Sequence, residues 1–217
     1  MAINTYSTLV TAIEEWIARD GDTTLSARVP DFITLAESKF NRTLFVPQME
    51  KRSTALVDIA SDEPEFITLP SDFQTMRRVR LSGVTGKPRL EFMTQTQIED
   101  YRYSIDNVSD QPIYFSIIGS EMELAPTPNE AFTLEMVYRA NVPALTSDNT
   151  TNWLLTLAPD IYLYGALLES TPYTQNDERI AVWGSAMTAC LDQLNALGAR
   201  QSFDIGPSQT TLPGPTP

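Results

Sequence analysis

Hydrophobic side chains at the start of the chain recur every three or four residues, which is the period of an amphipathic helix. One such segment covers residues 6–17, and a second apolar stripe covers residues 32–40. Proline is favoured in the first turn of a helix, so the second helix should open near Pro30 and end before Pro47. Two helices are therefore predicted within residues 1–48.

The middle of the chain shows the shorter, alternating pattern of β-strands. Segments that suit strands are separated by glycine, proline and acidic residues, and they cover 66–69, 77–81, 89–92, 113–118, 122–124 and 132–138. Thr94 or Thr96 can cap a short helix that continues to Tyr101. We therefore predict a mostly antiparallel β-domain with one small helix over residues 49–145.

Helical periodicity returns in the last third of the chain. One strongly apolar run covers residues 153–168, and another runs from Ile180 to Leu197, with Gly198 as its expected end. The tail, residues 201–217, is rich in proline, glycine, serine and threonine, so it should form an extended arm.

Together these patterns predict the α+β class. The simplest packing is a helical bundle of two N-terminal helices (1–48) and two C-terminal helices (146–200), with the β-domain (49–145) inserted between them. The arm, residues 201–217, then remains outside the bundle.

The composition removes most routes to catalysis. The 217 residues include 28 acidic, 15 basic, no histidine and one cysteine, and the formal net charge is −13. Imidazole-based catalytic triads and histidine-ligated metal sites are therefore excluded. A single cysteine excludes an internal disulfide and a cysteine-cluster metal site. We predict that the protein is not an enzyme and has no catalytic residue, metal site or cofactor.

Paired carboxylates are the remaining catalytic option. The candidates are Glu14 with Glu15, the run Asp62–Glu65, Glu121 with Glu123, and Asp177 with Glu178. Glycoside hydrolysis needs two carboxyl groups that face each other across a cleft, and neighbours on one helix or turn do not supply that geometry by themselves. A solvated face or a helix start explains these acids more simply.

The basic residues are concentrated in one part of the chain. Seven of the 15 lie within residues 51–89. The five candidate contacts with DNA or with a partner are Arg77, Arg78, Arg80, Lys87 and Arg89. Cations on an exposed strand either protect a sheet edge from aggregation or contact phosphates or an acidic partner, and the sequence leaves both possibilities open.

Several sequence blocks occur in one order along the chain. They are Thr68–Phe73, Arg77–Leu81, Leu124–Pro128, Asn152–Leu155, Pro159–Glu169 and Asp177–Trp183. In this order the blocks resemble the head-to-tail adaptor (connector) proteins of short-tailed bacteriophages, and the resemblance extends over nearly the whole chain, to about Arg200.

The resemblance implies a structural virion protein of the head-tail junction that is synthesised in the cytoplasm of the host bacterium. Such adaptors form a ring, typically a dodecamer, that joins the portal protein to the tail nozzle and fibres. The ring extends the channel through which genomic DNA passes without sequence-specific binding. The implied partners are therefore the portal protein, the tail nozzle protein, tail fibres, further copies of the chain and DNA.

The resemblance also implies a role for the arm, because C-terminal arms of these adaptors often insert into clefts of the portal. The candidate portal-binding residues are Gln201, Phe203, Ile205 and Leu212. An alternative function is another tail or nozzle binding module, and a more remote one is a carboxylate-dependent tail glycan hydrolase.

Overall fold

The computed structural model describes residues 2–17, 22–86, 88–174 and 179–203, with the side chains of 202 and 203 left out. The chain divides into two compact units. The helical unit contains Met1–Gln48 and Val142–Pro217, and the β unit contains Met49–Asn141. Both ends of the chain therefore contribute to one unit, and the middle forms the other.

The described part of the helical unit contains six α-helices. They are α1 (Tyr6–Ile17), α2 (Thr23–Ser26), α3 (Val29–Thr43), α5 (Trp153–Leu157), α6 (Pro159–Thr174) and α7 (Ile180–Phe203). Helix α6 packs against α1, α3, α5 and α7, so helices from both ends of the chain meet on it. Its Ile161, Tyr162 and Leu167 are buried, which provides the apolar surface for these contacts.

The contact between α3 and α6 depends on a glycine. A Cβ atom at Gly165 would lie 2.7 Å from Cζ of Phe40 and 3.2 Å from Cβ of Ala36. Phe40 is fully buried and meets the ring of Tyr162 edge-on, with ring centroids 5.3 Å apart. The two helices can therefore approach this closely only because position 165 has no side chain.

A buried carboxyl group connects the same two helices to the chain that precedes α5. Oε1 of Glu37 accepts hydrogen bonds from the Leu145 backbone N–H at 2.8 Å and from the Tyr162 hydroxyl at 3.1 Å. Burial raises the pKa of Glu37, although both hydrogen bonds act in the opposite direction. The amide of Asn152 also donates to the Tyr162 hydroxyl, at 2.6 Å.

The part of the β unit that the structure describes contains seven strands and one α-helix. They are β1 (Glu50–Leu56), β2 (Phe66–Thr68), β3 (Phe73–Ser82), β4 (Arg89–Phe92), α4 (Gln95–Ser104), β5 (Tyr114–Ile118), β6 (Glu121–Ala125) and β7 (Thr133–Ala140). The strand order is β1-β7-β3-β4-β5-β6-β2. Among the described strands only β4 and β5 pair in parallel, and α4 forms the crossover between them.

The sheet must curl. Strands β1 and β2 are consecutive in the chain but outermost in the strand order, and a flat sheet would hold them about 29 Å apart. Their connection, residues 57–65, is short and contains turns. Val57, the first residue of the connection, and Ile67, in β2 just after it, belong to one hydrophobic cluster with Val79 and Leu90 of the central strands. The sheet therefore folds around a single core.

The structure confirms the α+β class and the mostly antiparallel sheet. It also confirms the short helix α4, where Thr94 and Gln97 form a reciprocal capping box. Gly119 turns the chain from β5 to β6 with a φ of 60°, a conformation that suits glycine.

Three expectations about the C-terminal helices were wrong. The run 153–168 is two helices rather than one, because Pro159 starts a new helix after the break at Ala158. Gly198 does not end α7. It lies inside the helix, where a Cβ would come within 3.0 Å of Val46. Helix α7 continues to Phe203, so residues 201–203 of the expected extended arm are helical, and the rest of the arm lies outside the described residues.

We predict that Gly165→Ala destabilises the protein by about 1–3 kcal/mol, because the added methyl group must displace the buried ring of Phe40. Gly184→Ala in α7 is the matched control, since its nearest neighbour, Leu168 Cδ2, would be 3.9 Å away. The control should be neutral or gain up to about 1 kcal/mol from helix propensity. Urea unfolding measures both variants, and equal stability of the two would contradict the close-packing argument.

Candidate functional site

An arginine-rich surface lies on the outward side of strands β1, β7 and β3. The side chains of β7 that enter the core are Leu134, Met136, Tyr138 and Ala140. Alternate residues of a strand point to opposite faces, so Glu135 and Arg139 lie on the other side. The register places Arg80 of β3 opposite Glu135, and it places Arg52 of β1 and Arg78 of β3 opposite Val137.

We call this surface the arginine face. It carries the cationic residues Arg52, Arg77, Arg78, Arg80 and Arg139 and the carboxylates Glu50 and Glu135. The face therefore has an excess of positive charge on a chain whose formal net charge is −13. Such a local excess attracts anionic groups.

Glu135 is the centre of the arginine face. Nη2 of Arg52 contacts its Oε2 at 2.6 Å, and Nη2 of Arg80 contacts its Oε1. Nη2 of Arg78 lies farther away, 3.8 Å from Oε1. The Glu135 side chain is only 3% exposed, whereas Arg52 and Arg78 are about half exposed or more. The arginines thus cover the carboxylate and still present charge to solvent.

This arrangement keeps Glu135 ionised. Hydrogen bonds from Arg80 and Arg52 lower its pKa from 4.5 to about 2, against the opposing effect of desolvation. A carboxylate of this kind cannot act as a general acid near neutral pH, because it holds no proton there. Its role is to fix the positions of the arginines.

Arg77 enters the arginine face through an irregularity in β3. The pairing of β3 with β7 shifts register between Met76 and Arg78, so Arg77 is the additional residue of a bulge. Its Nε lies 3.4 Å from Oε1 of Glu50 on β1. Arg139 on β7 is buried. Its pKa is lowered mainly by this burial and to a smaller extent by the positive charge of Arg77.

A groove opens beside the arginine face. Strand β3 pairs with β7 from Phe73 to Ser82, but within the described residues it pairs with β4 only through Val79 and Arg80. The strands separate beyond that point and leave a cavity of about 540 Å³. The residues that line it include Arg77, Arg78, Arg89, Glu91, Phe92 and Phe115. We call this cavity the β3–β4 groove.

The predicted contact residues differ in their surroundings. Arg78 and Arg80 share Glu135, Arg77 pairs with Glu50, and Arg89 has no carboxylate within ion-pair distance among the described residues. Lys87 lies outside the described residues.

Of the predicted arm residues, only the side chain of Gln201 is described. Its Oε1 accepts a hydrogen bond from the Gln48 side chain at 3.1 Å. Phe203 ends the backbone of α7, but its side chain lies outside the described part of the chain, as do Ile205 and Leu212 entirely.

Arg52, Glu135 and Arg139 were not predicted as site residues from the sequence. The alternation of residues 132–138 already separated Glu135 from the apolar side of its strand. That pattern could have suggested a buried or paired carboxylate, but it could not show that β1 and β3 flank β7.

Two carboxylates of the β unit, one from each of two predicted acidic pairs or runs, share an arginine partner. Glu65 and Glu123 both contact Arg102, at 3.5 Å and 3.2 Å. Burial raises the pKa of Glu123, and the charge of Arg102 opposes this effect. The guanidinium occupies the position between the two carboxylates, which leaves no cleft for a sugar ring between them.

The single cysteine is held as a thiol. Sγ of Cys190 donates to Oδ2 of Asp160 at 3.1 Å, and burial together with Asp160 raises the pKa of Cys190 to about 11. The side chain is half-buried. Across the described residues, no group of three or more potential ligands could hold a metal ion.

Residues 4–211 match the family model described as SU10 adaptor protein. The chain belongs to that family. This result confirms the resemblance to phage head-to-tail adaptors. No curated protein sequence matches the adaptor.

Membership of the SU10 adaptor family makes the chain a structural phage protein and a virion component, associated with portal and tail components of the phage. No helix in the described part of the adaptor is both long and apolar enough to cross a membrane.

We predict that Glu135→Gln lowers the thermal unfolding midpoint at pH 7, because the arginines lose the charge that holds them together. The folded-state pKa of Glu135 lies below 4.5, so its stabilising contribution is complete above that pH and is lost as the pH falls towards 2. Between pH 7 and pH 2 the unfolding midpoint should therefore fall less in the variant than in the unsubstituted protein, because the variant keeps only the acid-sensitive contributions of other carboxyl groups such as Asp72.

The matched control is Glu130→Gln, which changes an exposed carboxyl group in the same unit. It should follow the pH profile of the unsubstituted protein. A Glu135→Gln protein with the same midpoint and the same profile as this control would show that the arginines do not depend on Glu135.

Proposed function

We propose that this adaptor forms a ring at the head-tail junction, where it joins the portal protein to the tail nozzle and fibres and extends the DNA channel. The observation that carries the proposal is the match to the SU10 adaptor family over residues 4–211, which includes both units. Twelve copies are the number that the resemblance to connectors implies.

A ring needs contacts between two different surfaces of each subunit. The chain offers surfaces of opposite charge, because the arginine face has a positive excess while the protein as a whole is acidic. Electrostatic complementarity of this kind steers association and fixes the register of subunits.

The acidic character also suits passage of DNA. Like charge keeps the phosphate backbone from adhering to a channel wall, so contact with DNA would be weak and independent of sequence. Arg78 and Arg80 already share Glu135, so a phosphate would have to compete with that carboxylate. Within the proposal, Arg77, Lys87 and Arg89 are the better candidates for contact with DNA or with a partner.

The parts of the chain then have separate roles. We propose that residues 1–48 and 146–200 form a helical bundle that builds the body of the ring. Residues 49–145 are inserted in that bundle and carry the arginine face. Residues 201–217 form the arm that binds the portal, with Gln201, Phe203, Ile205 and Leu212 as its candidate contacts.

The proposal predicts that the purified chain and the portal protein of the same phage form one complex of fixed stoichiometry. Light scattering after size-exclusion chromatography measures its mass, which should correspond to a ring of adaptor subunits on the portal. The chain alone can be smaller, because a ring can be templated by the portal.

The result that would contradict the proposal is a chain that stays separate from the portal at every salt concentration. Binding to another tail protein under the same conditions would instead favour the alternative function as a nozzle binding module.

Deletion of residues 204–217 should weaken portal binding by about tenfold or more while the unfolding midpoint stays unchanged, because α7 is kept up to Phe203. The matched control replaces the same residues with a glycine-serine segment of equal length, and it should bind as weakly as the deletion. Portal affinity equal to that of the full chain in both variants would rule out residues 204–217, with Ile205 and Leu212, as the portal contact.

A further inference from the structure

The β3–β4 groove combines an apolar floor with a cationic rim. Phe115 is almost fully buried at its base, and the ring of Phe92 meets it edge-on while remaining 61% exposed. Arg77, Arg78 and Arg89 line the same cavity, and Glu91 is its one carboxylate among the described lining residues. The groove therefore suits a segment that offers both an apolar side chain and several carboxylates.

The chain itself carries such a segment. Residues 58–63, which we call the acidic loop, connect β1 to β2 and are exposed throughout. The loop contains Asp58, Asp62 and Glu63 together with Ile59, whose apolar side chain is 48% exposed. Within the described part of the chain, none of these three carboxylates is in an ion pair.

Among the described residues, no ion pair joins the acidic loop to the groove of its own chain, and no loop residue lines that groove. Arg77 is paired with Glu50 and Arg78 lies near Glu135, but Arg89 is exposed and has no carboxylate within ion-pair distance among the described residues. Arg89 and the loop carboxylates are therefore left without an ion-pair partner in the described part of one copy. Two different surfaces that complement each other only between copies are what a heterologous contact requires.

We propose that the acidic loop of one adaptor subunit docks in the β3–β4 groove of the next, with Ile59 against Phe92 and the loop carboxylates against Arg77 and Arg89. This inference rests on the proposed ring and names the surfaces that close it. The contact leaves Glu135 and its arginines intact, because Arg77 and Arg89 do not contact that carboxylate.

The test is a charge swap. One variant carries Arg77→Glu and Arg89→Glu, a second carries Asp62→Arg and Glu63→Arg, and a third combines all four substitutions. Each of the first two should raise the concentration needed for self-association or for ring assembly on the portal by about tenfold, because attraction becomes repulsion. The combined variant should return to within about threefold of the unsubstituted chain, because its charges are again complementary. Light scattering measures all of them.

The control variants carry Arg42→Glu or Glu15→Lys, which reverse exposed charges in the helical unit. They should assemble like the unsubstituted chain. Circular dichroism melting of every variant shows whether the fold is retained.

A cross-link provides a second measurement that needs no charge reversal. On a Cys190→Ser background, chains with Ile59→Cys are mixed with chains with Phe92→Cys and treated with a short bismaleimide. Cross-linked dimers should form in the mixture and not in either variant alone.

The outcomes separate this inference from the proposed function. Assembly that is insensitive to both charge reversals, or that is not restored by combining them, overturns the loop-groove contact and leaves the ring. If only the groove variant fails to assemble, and its particles also retain less DNA, then the groove binds DNA phosphate rather than the acidic loop. That result also overturns the loop-groove contact. If the unsubstituted chain stays monomeric at high concentration and in the presence of the portal protein, both the loop-groove contact and the proposed ring are overturned.

Discussion

The β unit depends on the position of β7 between β1 and β3. One side of this strand supplies the core of the curled sheet, and the other side holds a carboxylate, Glu135, that is almost fully covered. A covered charge must be compensated, and its ion-pair partners among the described residues are side chains of the two flanking strands. Arg52 and Arg80 supply that compensation, so strand order, register and surface charge are coupled through one residue.

Periodicity along the chain predicted α1, α3, α4 and the central strands because each of these elements satisfies its pattern locally. It failed where packing decides. Glycine is common just after the end of a helix, yet Gly198 lies inside α7. A Cβ atom at this position would lie only 3.0 Å from Val46, so a residue without a side chain suits the contact. Strand β1 has no clear alternation, and it forms a strand because its whole length pairs with β7.

The candidate site was predictable only in part, for a related reason. Arginines at 77, 78 and 80 are conspicuous in the sequence, but their different roles depend on neighbours that are distant along the chain. Arg80 forms an ion pair with Glu135, and Arg77 forms one with Glu50. Arg89 instead lines the groove that opens where β3 and β4 separate. No pattern within residues 77–89 contains this information, because pairing partners are set by the topology of the sheet.

The insertion begins and ends on adjacent strands, since Glu50 of β1 is paired with Arg139 of β7. For the helices, the whole segment Met49–Asn141 therefore acts as a short loop once it has folded. Strand pairing within the insert then offsets most of the entropy cost of bringing α3 and α6 together. Closing a short loop costs less conformational entropy than closing a long one. During synthesis the middle of the chain can fold before the C-terminal helices have emerged from the ribosome. The folded insert then brings the C-terminal helices close to the N-terminal helices.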